Sequence, residues 1–268
     1  MYSRVLIPVN EPSEVEPLIR FSSVLLDAEG SIRVLHVIQQ TSLPNVTREW
    51  RQSINFVIPA HETGAALDVQ VDPDVRAALD IPGEILESQE QGGIDAIVLT
   101  LRGDKRSRNP FVGHTASALL HHARCDVLIV NRLAMASDKI PRILIPTFTE
   151  EPSSKALRVA EEIALHNQGA PIVVLSMSAK ASSDGVEESS EETSRGVPLT
   201  RKLISTPVSL LNRRRRLPDM IVRAAARERY GLLLVAEESL HAEAPLLTRS
   251  FLEELFRAAP CPVLAVRG

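Results

Sequence analysis

Apolar residues follow two alternating rhythms along this chain. Short, largely β-branched runs at 5–9, 32–38, 66–71, 96–101 and 126–130 predict strands covered on both faces. Between the first two, Val15, Leu18, Ile19, Ser22 and Leu26 keep helical spacing. Ser13 and Glu16 are spaced for a capping box there, and Gly30 is placed to stop the helix. Further helices are predicted over 50–61, 83–91 and 114–123. Strands alternating with helices predict a parallel α/β sheet with right-handed crossovers, which takes its ligands beyond the carboxyl ends of the strands.

The same plan is then written again. Arg4-Val-Leu-Ile-Pro-Val9 returns as Arg142-Ile-Leu-Ile-Pro-Thr147, and Cys125-Asp-Val-Leu-Ile-Val130 as Cys261-Pro-Val-Leu-Ala-Val266. Ile81-Pro-Gly-Glu-Ile-Leu86 is echoed by Leu217-Pro-Asp-Met-Ile-Val222. Landmarks in one order at a nearly constant offset predict two copies of one domain, over 1–133 and 139–268, with a short link near 132–140. The second copy should carry strands at 143–147, 172–177, 232–236 and 263–266, and a helix around 156–166. It differs at 178–196, rich in serine and glutamate and poor in apolar residues, which predicts a mobile acidic loop. The strands 127–130 and 263–266 are predicted sheet edges, and their pairing within one chain would make a pseudo-dimer.

Composition narrows the classes. With 268 residues, 44% hydrophobic but only 3% aromatic, the interior is aliphatic and offers few stacking platforms for bases. A net charge of -4 gives no bulk attraction to nucleic acid or an anionic membrane. Apolar runs are far shorter than the roughly 20 residues a bilayer requires. With no signal-peptide pattern at the amino terminus and only Cys125 and Cys261, a cytoplasmic protein without a disulfide framework is expected.

The loops carry the candidate chemistry. Leu99-Thr-Leu-Arg-Gly103 is followed, nine residues on, by Gly113-His-Thr115 opening a helix, and Arg102, Lys105, Arg106 and Arg108 lie between. Bare glycine backbone, a helix amino terminus and local positive charge suit a phosphate. The plainer reading, that Gly103 and Gly113 only shape a surface loop, stays open on the residues alone. In the second copy Ser239 and Arg249 stand where Gly103 and Gly113 do, among Glu238 and Glu243, so an anion site is expected in the first half only.

The order of these landmarks, with Leu-His-Val-Ile closing the second strand and Asp-Ala-Ile-Val-Leu forming the fourth, resembles a tandem universal stress protein. The resemblance covers nearly the whole chain apart from 40–62 and 178–200. It implies two repeated five-stranded parallel sheets of the adenine-nucleotide-binding, Rossmann-like type. It also implies ATP, with Mg²⁺, bound through Gly-x-x-Gly-x9-Gly-(Ser/Thr) in one branch of the family. Carried over to this chain, Pro8, Val9 and Asn10 match the strand-end contacts, Val37 the position beside adenine, and Leu99, Gly103, Gly113, His114 and Thr115 the phosphate and ribose motif. Asn10 stands for the usual aspartate, Thr100 for the first glycine and His114 for Ser or Thr. The second half has Phe148, Ala236, Ser239, Arg249 and Ser250 at the corresponding places, which makes it the degenerate copy.

The expectation is a non-catalytic stress-response or regulatory protein, with adenine-nucleotide binding in the first domain. The alternative is a nucleotide-free docking module, beside a membrane transporter for example, and a slow ATPase ranks last. A homodimer and an unidentified regulatory protein are the expected partners, with neither nucleic acid nor membrane insertion. Nothing recruits a nucleophile, base or metal: no Gly-x-Ser-x-Gly or Gly-x4-Gly-Lys-(Ser/Thr) is present, and adjacent His121 and His122 point about 100° apart on a helix. Cys125 and Cys261 read as small buried hydrophobes, and Arg213–Arg216 as a solvated turn that the acidic run 187–192 could pair with.

Overall fold

Strands β1 (Tyr2–Val9), β2 (Leu26–Gln39), β3 (Gln70–Ala78), β4 (Ala96–Leu101) and β5 (Asp126–Asn131) build the parallel sheet of the first unit. Their order is β3-β2-β1-β4-β5. The computed structural model describes residues 1–40, 43–101, 113–131, 139–148, 151–178, 186–205, 210–236 and 248–267. These divide into two units, Met1–Asp138 and Lys139–Gly268.

Val5, Leu6 and Ile7 on β1 are fully buried, as are Ala96, Ile97 and Val98 on β4. A strand buried on both faces reads as an unbroken apolar run, the signature of parallel sheets. Helices α1 (Val15–Ser23), α2 (Leu43–Gln52), α3 (Ile54–Leu67), α4 (Ile81–Gly92) and α5 (His114–His122) make the connections. α1 packs on α3, and α4 on α5. At the amino end of the sheet, Asp95 accepts the backbone N–H groups of Ser3 and Arg4, and the Tyr2 hydroxyl donates to Asp126 at 2.8 Å.

Several expectations change here. α1 is entered through a 3₁₀ turn at Pro12–Glu14, and its reciprocal cap joins Glu11 and Glu14, not Ser13 and Glu16. Glu14, on the inner side of the turn, reaches the free N–H groups there. Gly30 does not stop a helix: α1 ends at Ser23, and Gly30 and Leu26 lie inside β2. The β1–β2 register slips between Tyr2↔Leu26 and Arg4↔Ser31, and Gly30 sits in that irregular stretch, where a Cβ would stand 2.9 Å from the Leu26 Cβ. The strand expected at 66–71 starts at Gln70, because α3 runs on to Leu67 and stops at Asp68, whose left-handed φ of 55° caps it. β3 carries the half-buried pattern of an edge, so its apolar signal is weak.

The second unit has β6 (Ile143–Thr147), β7 (Ile172–Ser178), β8 (Val186–Glu192), β9 (Pro198–Ser205), β10 (Leu232–Ala236) and β11 (Val263–Val266), with α6 (Ser154–His166), α7 (Leu210–Arg227) and α8 (Thr248–Ala258). The order β11-β10-β6-β7-β9 repeats that of the first unit, with β8 added antiparallel beside β9. Residues 186–192 are therefore a strand and not part of a mobile loop; 179–185 lie outside the described residues. Glu191 meets Arg201 at 2.5 Å and Glu188 approaches Lys202 at 3.9 Å, so cross-strand charge pairs stand where apolar alternation would be expected. Glu188 and Glu191 pair with β9, and the backbone of Arg213–Arg216 belongs to α7 and not to a turn.

Candidate functional site

The first unit's chain runs β1 to β2 to β3 in one direction, then returns to place β4 and β5 on the other side of β1. The two halves of the sheet diverge between β1 and β4, and such a switch point leaves a crevice at the carboxyl ends of the strands. A cavity of about 310 Å³ lies there. Pro8, Val9 and Asn10 line it from β1, Val37 from β2, Leu99 and Thr100 from β4, and Gly113, His114 and Thr115 from the start of α5. Eight of the nine residues singled out in the sequence thus meet around one space. Gly103, with the whole of 102–112, lies outside the described residues.

Gly113 occupies the cap position of α5. A Cβ placed on it would find no atom within 4 Å, so the fold itself does not demand glycine there. The first-turn N–H groups of an α-helix have no intrahelical acceptor, which makes this wall suitable for an oxygen-rich ligand.

Sequence reasoning missed Glu14. Only 3% exposed, it lines the cavity, and its Oε2 accepts the N–H groups of Asn10 at 3.0 Å and Glu11 at 3.1 Å. Its Oε1 accepts the Thr100 hydroxyl at 2.8 Å. A side chain accepting three hydrogen bonds behaves as a carboxylate. Among the described residues no cation pairs with it. The departure at Thr100 and the acid at Glu14 are therefore one feature: the β-branched residue in place of glycine is tied to the cavity's own anion. The available signal was the spacing Glu11-x-x-Glu14, which reads as ordinary surface charge without the fold.

In the second unit two aromatic rings meet beyond the end of β6. Phe148, the counterpart of Asn10, packs edge-on against Phe251 of α8, with ring centroids 5.5 Å apart. Ser239 lies outside the described residues, and of Arg249 and Ser250 only the helical backbone is described.

The remaining candidates take structural places. Cys125 and Cys261 are buried, and burial pushes the Cys261 thiol up to about 12, which keeps it protonated and inert. His121 and His122 stand with rings 6.1 Å apart, and Nδ1 of His121 lies 2.6 Å from the Ser117 carbonyl. Among the described residues no three metal-ligating side chains gather. None of the described helices is long and apolar enough to cross a membrane.

Fold and cavity together define a duplicated α/β protein whose two units share one strand order, the first with an open ligand crevice at its switch point. The chain belongs to the universal stress protein family: that family's model matches residues 1–131 and again 139–267. A search of curated proteins gave no match. Among solved structures, a universal stress protein from Archaeoglobus fulgidus is similar over 98% of this chain and 96% of its own, at 14% identity and a TM-score of 0.72. A functionally unknown protein from Pseudomonas aeruginosa PAO1 covers 99% of this chain and 92% of its own, at 12% identity and a TM-score of 0.63. The cytoplasmic domain of a prokaryotic cation chloride cotransporter covers 99% and 95%, at 10% identity and a TM-score of 0.57. At such identities the likeness is one of fold.

Proposed function

We propose that the first unit binds an adenine nucleotide in the switch-point cavity and that the protein acts by binding, not by turnover. The observation supporting this is the convergence of Pro8, Val9, Asn10, Val37, Leu99, Gly113, His114 and Thr115 on one space beside a helix amino terminus. The ribose and phosphates would lie along Gly113–Thr115, with the base toward Val37. Among the described residues around the cavity, none is an activated nucleophile. Ligand binding would order the start of α5 and so alter a surface read by a protein partner. In a stress response, occupancy by ATP would then report on the cell's nucleotide pool.

The test is calorimetric titration of ATP into the full chain and into Gly113→Arg, at a position where an added Cβ meets no described atom within 4 Å. Millimolar or tighter binding that is lost in the variant is expected. No heat from the natural chain overturns the reading.

One observation favours a second reading, a nucleotide-free docking module. The Glu14 side chain places an acid where a nucleotide's phosphates would approach. The fold of a transporter's cytoplasmic domain resembles this chain over its full length, which is compatible with docking at a transporter. Release of adenine nucleotide from denatured, freshly purified protein separates the two readings: release supports the first and its absence the second.

A further inference from the structure

Beside the nucleotide cavity, and sharing Asn10, Val37 and Ile81 with it, lies a second cavity of about 380 Å³. Its outer wall comes from α2 and α3. His36, Gln39, Glu49, Gln52, Asn55 and Phe56 line it.

His36 is 9% exposed, and its ring stacks on Phe56 at 3.9 Å and 14°. Its Nδ1 lies 3.1 Å from the Val9 carbonyl, which only accepts, so Nδ1 carries the proton. Burial lowers the imidazole's pKa, which leaves the ring neutral at pH 7 and Nε2 an acceptor. Among the described residues no hydrogen-bond partner meets Nε2. Glu49, half-buried across the cavity, has no ion pair among the described residues. Among the described residues no Lys or Arg lines the space. Phe56, Val37 and Ile81 give it an apolar wall.

A space that offers two acceptors, neutral amides, an apolar wall and no cation repels anions and suits a donor-rich cation. We propose that this cavity binds a small aromatic amine carrying one positive charge, its ring against the apolar wall and its ammonium group between Glu49 and Nε2 of His36. The space adjoins the switch-point cavity through Asn10, Val37 and Ile81 but is not lined by Gly113, so substitution at Gly113 tests it separately from the nucleotide reading.

Calorimetric titrations of the full chain with tyramine, tyrosol and para-hydroxyphenylacetate test this, since the three share a ring and differ in charge. Tyramine is expected to bind at low-millimolar concentration, about tenfold more tightly than tyrosol, with no heat from the carboxylate. Glu49→Gln should abolish the preference for tyramine over tyrosol, and His36→Phe, which preserves the ring stack, should weaken both. Thermal melting verifies that each variant is folded. Gly113→Arg should leave tyramine binding unchanged even where ATP binding is lost or was never present. Absence of tyramine binding, equal binding of all three, indifference to Glu49→Gln, or loss in Gly113→Arg overturns the proposal.

Discussion

The Thr100 hydroxyl donates to Oε1 of Glu14 at 2.8 Å, joining the end of β4 to the β1–α1 turn beside the switch-point cavity. The acid satisfies N–H groups that a ligand oxygen would otherwise meet, and it places negative charge near any phosphate. Glu14→Gln keeps the shape and removes the charge. ATP is expected to bind the variant about fivefold more tightly than the natural chain by calorimetry. Equal or weaker binding would show that the acid does not oppose the nucleotide.

His36 links stability to pH. Burial lowers its pKa from the ordinary 6.5, so the unfolded chain takes up this proton at higher pH than the folded one. Its contribution is present above 6.5 and is lost as pH falls from there toward the folded value. Melting curves at several pH values should show natural protein losing stability in that window more steeply than His36→Phe. Parallel pH profiles would contradict it.

In the second unit Glu228 accepts from Lys202 at 2.9 Å, the Tyr230 hydroxyl at 2.9 Å and Arg142 at 3.3 Å. Burial pushes its carboxyl up, but these three partners together hold it below the usual 4.5. Its stabilisation is therefore present above 4.5 and lost as pH falls through the folded value. The groups are partly exposed, so Glu228→Gln should cost only about 1 kcal/mol at neutral pH, measured by urea unfolding. The cost should shrink in acid.

Phe251 of the second unit is 7% exposed and packs edge-on against Phe148. Phe251→Ala should destabilise that unit by about 3 kcal/mol through lost transfer energy and a residual void. A change below about 1 kcal/mol would mean that the ring is not part of its core.

Both sheets could be read from the sequence because nearly every central strand is buried on two faces: 143–147, 232–236 and 263–266 were located to the residue. Of the edges, β3 was expected too early, at 66–71, and β8 was not expected at all. β3 mixes Asp72, Pro73 and Asp74 with single apolar residues, and β8 is held by Glu188 and Glu191 against basic partners, so neither shows a hydrophobic rhythm. The cavity residues were legible as strand ends and a helix start. Glu14 was not, since its role depends on the meeting of Asn10, Glu11 and Thr100, and Thr100 is far away in the chain.

The edges also show how duplication diverges. A free parallel edge offers a row of backbone donors and acceptors to any extended chain nearby. β3 blunts its edge with Pro73, which has no N–H to offer. β9 is covered by an added strand bearing Glu188, Glu191 and Glu192, so an approaching segment meets carboxylates first. Two copies of one ancestral sheet have thus acquired different protection from unwanted strand addition, and exchanging the β8–β9 hairpin for the β3 sequence would move that vulnerability with it.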